Sequence, residues 1–246
     1  MKHCVFIPGI AGSLTLLLAP RVLAGPPFLT DDPEPVEYQH WETYLFAATE
    51  PEGSGYLING PAAEINYGAL PDTQLSVTLP LTTVGGGAPA ASGLGDTLLG
   101  VKYRFWHETN GWPQIAVYPQ VTLPTGDAHL GLGNDRPWYQ LPLWLQKSWG
   151  PWTTCGGGGL AWNSAPGQRD YPFGGWLLQR DLGEHLMLGG ELFVQGRDLD
   201  SDQGFAALNF GGSYKINEHF SLPFSVGRSV AGDEHTFWYF GLNFNW

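Results

Sequence analysis

The chain has 246 residues, of which 35 are Gly and 20 Pro; 14% are aromatic and only 14% charged. A soluble domain usually carries roughly 25–35% charge on its surface, so an ordinary soluble enzyme fits poorly, although an aromatic-packed soluble sandwich stays open as an alternative. The formal charge of −12 makes the chain a poor candidate for nucleic acid, whose recognition leans on neutralising phosphates with Lys and Arg.

The first segment reads as an export signal over residues 1–24. Lys2 gives a basic start, 4–19 is almost wholly apolar, and Val22, Leu23 and Ala24 offer a small-residue cleavage site before Gly25. The apolar run ends at Pro20 and Arg21, short of the roughly 20 residues a membrane anchor needs. Cleavage removes Lys2 and Arg21, two of 11 basic residues, and none of the 23 acids, taking the charge from −12 to −14. Cys4 leaves as well, so Cys155 has no disulfide partner; beside Gly156 it reads as a packing residue. No later run reaches the roughly 18 apolar residues of a spanning helix. A spanning β-strand needs only about 9–11 residues, every second one facing lipid, which suits a mean hydropathy of −0.13.

After a short lead-in, 25–35, one domain is expected over 36–246. Alternation marks twelve strands: 36–49, 57–68, 72–83, 93–106, 112–123, 136–149, 152–163, 172–182, 185–197, 203–216, 219–229 and 234–246. Leu75, Val77, Leu79 and Leu81 alternate with Gln74, Ser76 and Thr78; Leu99, Val101, Tyr103 and Phe105 alternate with Leu98, Gly100, Lys102 and Arg104. The last strand is the clearest: Thr236, Trp238, Phe240, Leu242, Phe244 and Trp246 form one face, and His235, Phe237, Tyr239, Gly241, Asn243 and Asn245 the other. Helix is disfavoured by frequent Gly and Pro. Pro119, Pro142 and Pro223 interrupt strands, as Pro removes a ladder donor. Strands 152–163 and 172–182 alternate poorly, leaving ten or fourteen strands as alternatives.

Connectors after even-numbered strands are short (69–71, 107–111, 150–151, 183–184, 217–218), and those after odd-numbered strands include the long ones (50–56, 84–92, 124–135, 164–171). Short turns at one rim and long loops at the other, with an even count, describe a transmembrane up-and-down antiparallel β-barrel with periplasmic termini. Closure leaves no amide unpaired in hydrocarbon. Trp41, Tyr103, Trp138, Tyr139, Trp149, Trp152 and Tyr214 suit the headgroup zone.

The inward register collects Glu42, Glu64, Asp96, Lys102, Arg104, Glu191, Arg197 and Lys215, either lining a pore or pairing with one another. Lys102 and Arg104 form a basic rung for which Asp96 is a candidate counter-charge. Tyr38, Tyr44, Tyr118 and Trp144 are inward aromatics that suit contact with an apolar solute. Thr125, Gly126, Asp127 and His129 read as a turn. The histidines show no paired metal spacing, Gly93 and Gly156 start no phosphate loop, and Ser225, Ser229, Asp233 and His235 form no recognisable nucleophile setting. No catalytic residue, cofactor or metal is expected; a barrel-embedded lipid hydrolase is the enzymatic alternative.

Two segments resemble a known family. Gly93, Leu94, Gly95, Asp96, Thr97, Leu98, Leu99, Gly100, Val101, Lys102, Tyr103 and Arg104, then Val121, Thr122, Leu123, Pro124, Thr125, Gly126 and Asp127, are similar to signatures of the outer-membrane proteins labelled "MetA-pathway of phenol degradation". The resemblance extends in pattern over roughly 34–246. It implies an outer-membrane barrel that passes small, in some cases aromatic, compounds, and it carries no catalytic residues over. A departure is Trp246, where such barrels most often end in Phe; Phe240, Leu242, Phe244 and Trp246 are still expected to serve as the C-terminal assembly signal. The expected role is passive passage of a small solute through the outer membrane of a Gram-negative bacterium, after export. The expected partners are outer-membrane lipids and lipopolysaccharide, the barrel-assembly machinery and a small-molecule solute, with no nucleic acid. A non-transporting barrel that binds a surface ligand or stabilises the envelope is the alternative.

Overall fold

The computed structural model describes residues 26–50, 56–86, 90–201 and 203–246. The export signal expected over 1–24, and Cys4 with it, lies outside the described residues.

Period-2 alternation lets each strand turn one set of side chains to hydrocarbon and the other to a polar interior. The strands are β1 (Trp41–Glu50), β2 (Tyr56–Leu70), β3 (Thr73–Gly85), β4 (Ala91–Leu94 and Thr97–Trp106), β5 (Gln114–Val117 and Gln120–Leu123), β6 (Trp138–Trp149), β7 (Trp152–Asn163), β8 (Tyr171–Leu182), β9 (Leu186–Gln195), β10 (Phe205–Lys215), β11 (Phe220–Gly232) and β12 (Thr236–Asn245). All pair antiparallel with their chain neighbours, and β1 pairs with β12, Glu42 opposite Asn245 and Ala48 opposite Tyr239. The Trp41 and Trp246 amides each donate to the other's carbonyl, at 2.8 and 3.0 Å, closing the ring. The chain is therefore a closed twelve-stranded antiparallel barrel.

Two strands are interrupted without ending. Both segments of β4 lie along β3, Leu94 opposite Leu81 and Leu98 opposite Thr78. In β5 the break falls at Tyr118 and Pro119. Pro119 has no N–H to give, yet its carbonyl still accepts from Val101 at 3.0 Å, and the Tyr118 amide donates to Pro142 at 3.1 Å. The third interior proline, Pro223, pairs with Ser213 on β10, while the β11–β12 ladder skips from Ser221 to Phe224. The prolines thus sit where a missing donor costs one local bridge rather than a strand.

Strand β1 begins at Trp41, five residues later than alternation suggests. Gln39 has φ +66°, and Tyr38 makes a lone parallel bridge to Gly68, so 36–40 is a turn leading in from another direction. The weakly alternating strands, β7 and β8, do form. Their glycines explain the weak pattern, since they remove side chains from both faces where strands approach closely. A Cβ on Gly158 would lie 2.2 Å from the Phe173 carbonyl oxygen, and one on Gly159 would lie 2.4 Å from that of Leu141.

Burial is inverted relative to a soluble protein. Asn66, Gln74, Gln114, Gln146, Gln179, Asn209 and Asn243 are buried, while Leu45, Leu75, Leu99, Val101, Leu143, Leu192, Phe210 and Phe240 stand exposed. A continuous apolar band of this kind marks a surface that meets lipid. At the rim with the short turns, Trp41 stacks on Trp246 at 5.7 Å and packs on Tyr67 at 4.3 Å. Arg180 lies 5.0 Å over the Trp152 ring.

Candidate functional site

The lumen gathers many of the buried polar side chains among the described residues, and part of it is filled by the residues that lead into β1. Residues 26–35 run inside the barrel, with Phe28, Thr30, Asp32 and Pro33 buried. Phe28 packs in a cluster with Cys155, Leu177 and Met187. Cys155 is thus a packing residue whose thiol donates to Gln146 Oε1 at 3.1 Å.

Backbone groups of this segment find partners on the wall, as buried amides must. Glu191 on β9 accepts from the Leu29 amide at 3.1 Å, from the Thr30 amide, and from Asn209 Nδ2 at 2.9 Å. The Ser225 hydroxyl donates to the Pro27 carbonyl at 2.7 Å, and the Val36 amide donates to Gln74 Oε1 at 2.9 Å.

Its acidic side chains take the basic rung. Lys102 Nζ lies 3.1 Å from Asp31 and 3.5 Å from Asp32, and 5.1 Å from the centre of the Tyr118 ring. Arg104 lies 3.8 Å from Glu34, donates to Gln114 Oε1 at 2.9 Å, and makes a two-nitrogen clasp on Asp72 at 2.7 and 3.0 Å. His107 Nε2 meets the other Asp72 oxygen at 2.9 Å. Asp72 sits in the turn between β2 and β3. Partial burial pushes its carboxyl up, but the hydrogen bonds from Arg104 and His107 outweigh that and hold it below the usual aspartate range.

The Lys102 cluster forms part of the lining of a cavity of about 430 Å³. Part of its wall is aromatic. The rings of Trp144, Phe173, Phe193 and Phe205 step across β6, β8, β9 and β10 with 6.4 Å between successive centroids. Strand β7 lies between the first two and contributes glycine there; a Cβ on Gly157 would meet Trp144 Cε3 at 2.9 Å. Another part carries Glu42, Tyr44, Glu64 and Asn66, placed by the β1–β2 register that sets Glu42 opposite Asn66 and Tyr44 opposite Glu64.

Of the residues expected to face the lumen, the structure brings Glu42, Tyr44, Glu64, Lys102, Tyr118 and Trp144 to this cavity, and sets Glu191 and Arg104 against the N-terminal segment. Four others lie elsewhere. Tyr38 precedes β1 and is exposed, because the chain turns at Gln39 before the strand starts. Arg197 lies beyond the end of β9 and is exposed. Lys215 is the last residue of β10, at the rim. Asp96 does not face Lys102; its carboxylate accepts from the Gly126 amide at 2.9 Å and the Asn134 amide at 2.7 Å, stapling the loop between β5 and β6. The counter-charges of Lys102 come instead from the lead-in. Trp138, expected in the headgroup zone, lines the cavity.

Sequence reasoning missed Asp31, Asp32 and Glu34 as lumen residues. The available signal was charge complementarity: three acids within four residues, and two inward bases two apart. It also missed the rings of Phe173, Phe193 and Phe205.

The serines singled out above are engaged otherwise. Ser229 Oγ accepts from the His235 main-chain amide at 2.8 Å, and the His235 ring stands edge-on to Phe205 at 4.9 Å. Among the described residues no group of three His, Cys, Asp or Glu side chains is placed to hold a metal ion.

A closed barrel with a lipid-facing apolar band, short turns at one rim and a polar interior defines an outer-membrane β-barrel of the porin-like kind. Residues 54–246 match the family model described as "Putative MetA-pathway of phenol degradation", and the chain belongs to that family. Among solved structures it is similar to an outer-membrane channel from Pseudomonas putida F1, with 15% identity and a TM-score of 0.71 over 87% of this chain and 98% of that one. It is also similar to the KdgM porin, solved alone and with disordered oligogalacturonate, with 12% identity and a TM-score of 0.56 over 83% of this chain and 98% of that one. No curated protein sequence matches the chain.

Proposed function

We propose that the protein is a passive outer-membrane channel for small solutes with an aromatic or apolar body, its short turns and C-terminus on the periplasmic side. One observation carries this reading. The cavity with its aromatic wall abuts a segment that enters no sheet and is held in the lumen by side-chain contacts. Such a segment is able to shift without breaking the barrel, because none of the ladder bonds belongs to it. The aromatic side chains of the lining supply an apolar surface for a solute once the segment shifts, and the charged cluster around Lys102 sets which solutes go on. The lipid-facing band implies outer-membrane lipids and lipopolysaccharide as surroundings. Phe240, Leu242, Phe244 and Trp246, on the closing strand, are the proposed signal for the assembly machinery. No catalytic step is assigned.

The seated segment also gives a reason to consider a non-transporting barrel. Solute efflux from liposomes containing the purified mature protein separates the two readings. Efflux of small aromatic solutes above protein-free liposomes is expected. No efflux of charged, sugar or aromatic solutes refutes the channel.

A further inference from the structure

Acidic residues outnumber basic ones around the cavity. Its lining includes five carboxylates, Asp31, Asp32, Glu34, Glu42 and Glu64, and one ammonium, Lys102. Lys102 is taken by Asp31 and Asp32, and Arg104, clasped on Asp72 at 2.7 Å, also comes within 3.8 Å of Glu34. Acidic side chains therefore outnumber basic ones in the lining, and Arg104 is shared with Asp72. Glu42, buried, and Glu64, half-buried, have no ion-pair partner among the described residues. An unpaired carboxylate in a restricted interior is costly, and the cost is relieved by a proton or by a counter-ion.

These two side chains are also arranged together. Asn66 Nδ2 donates to Glu42 Oε2 at 3.3 Å and to Glu64 Oε1 at 3.0 Å, bridging the pair, and the Tyr44 hydroxyl donates to Glu42 Oε1 at 3.0 Å. Asn66 is 1% exposed, lines the same cavity, and leaves its Oδ1 without a hydrogen-bond partner there. The bridge holds the carboxylates where a cation can meet both. Phe173, half-buried, and Trp144, buried behind it, line the same cavity, and an aromatic face favours a cation or an aromatic body over an anion.

The geometry points to an organic monocation with an aromatic body as the preferred solute of this cavity, its charge at Glu42 and Glu64 and its ring on the Trp144–Phe173 wall. This rests on the channel reading and narrows its solute class. An inorganic cation would satisfy the carboxylates but leave the aromatic wall unused, and a neutral or anionic aromatic would do the reverse.

Three permanently charged probes separate these possibilities: benzyltrimethylammonium (ring and cation), benzenesulfonate (ring and anion) and tetramethylammonium (cation without ring). Binding is measured by calorimetry on the detergent-solubilised mature protein, and efflux from liposomes. Benzyltrimethylammonium should exceed each of the others at least about tenfold in affinity, equivalent to about 1.4 kcal/mol, and should leave liposomes fastest. Glu64→Gln should remove most of its advantage over benzenesulfonate, with heat-modifiable gel mobility retained as the sign of a folded barrel. Equal binding of the three wild-type probes, a preference for benzenesulfonate, or tetramethylammonium matching benzyltrimethylammonium overturns the assignment without any variant. Efflux of none of them, with selective binding kept, defeats the channel reading and upholds the cavity assignment.

Discussion

Removing the Glu191 carboxylate should loosen the N-terminal segment without opening the barrel. Glu191 is 2% exposed and accepts the amides of Leu29 and Thr30 together with Asn209 Nδ2. Hydrogen bonds to a charged acceptor contribute about 1.5–3 kcal/mol each. Losing the two backbone bonds therefore removes at least about 3 kcal/mol from the local stability of the segment, part of which is returned because a buried charge no longer has to be desolvated. At about 1.4 kcal/mol per decade, the fully expressed loss is about a 100-fold rise in the open population of the segment. Hydrogen exchange of the 28–32 amides in Glu191→Ala, measured in detergent, reads this directly. Single-channel recordings should show longer or larger openings at the same time. Glu191→Gln retains a carbonyl acceptor of the same shape and should fall between wild type and Glu191→Ala. The reasoning is refuted if a folded Glu191→Ala barrel keeps the protection of Leu29 and Thr30 within about threefold of wild type.

Four further outcomes follow from other positions. Asp72 is held below its usual range by Arg104 and His107, so its stabilisation is present at neutral pH and is lost as pH falls through the lowered value; the barrel's melting temperature should drop below about pH 4, and Asp72→Asn should flatten that acid limb. Asp96→Ala removes both acceptors of the loop staple to Gly126 and Asn134; limited proteolysis should then cut within 124–135 while the barrel's melting temperature stays near wild type. Gly158→Val places a side chain against the Phe173 carbonyl and should destabilise the barrel by at least about 1–3 kcal/mol. A Cβ on Gly111 meets nothing within 4 Å, so Gly111→Ala should stay within about 0.5 kcal/mol of wild type, both read from the temperature at which heat-modifiable mobility is lost.

Alternation along single strands determined the wall. In Thr73–Gly85 and Thr236–Asn245 every second residue declares its side, because the side-chain period of a strand is a local property of the backbone and hydrocarbon tolerates no error in it. The twelve strands, the short turns and the closing aromatic residues all follow from that local rule, and β7 and β8 blurred it only because glycine carries no side chain to show which way it faces. The interior followed a different logic. Whether Lys102 meets Asp96 or Asp31 depends on the summed register of all the strands around the ring and on where an unpaired segment comes to rest. Those contacts join residues as far apart as Thr30 and Glu191, and no window of sequence contains both. The tertiary structure alone decided that the lead-in lies in the lumen, that Asp96 holds a loop, and that rings from four strands meet in one wall. The physical reason is that facing inward is set residue by residue, whereas the neighbour met inside is set only once the sheet has closed.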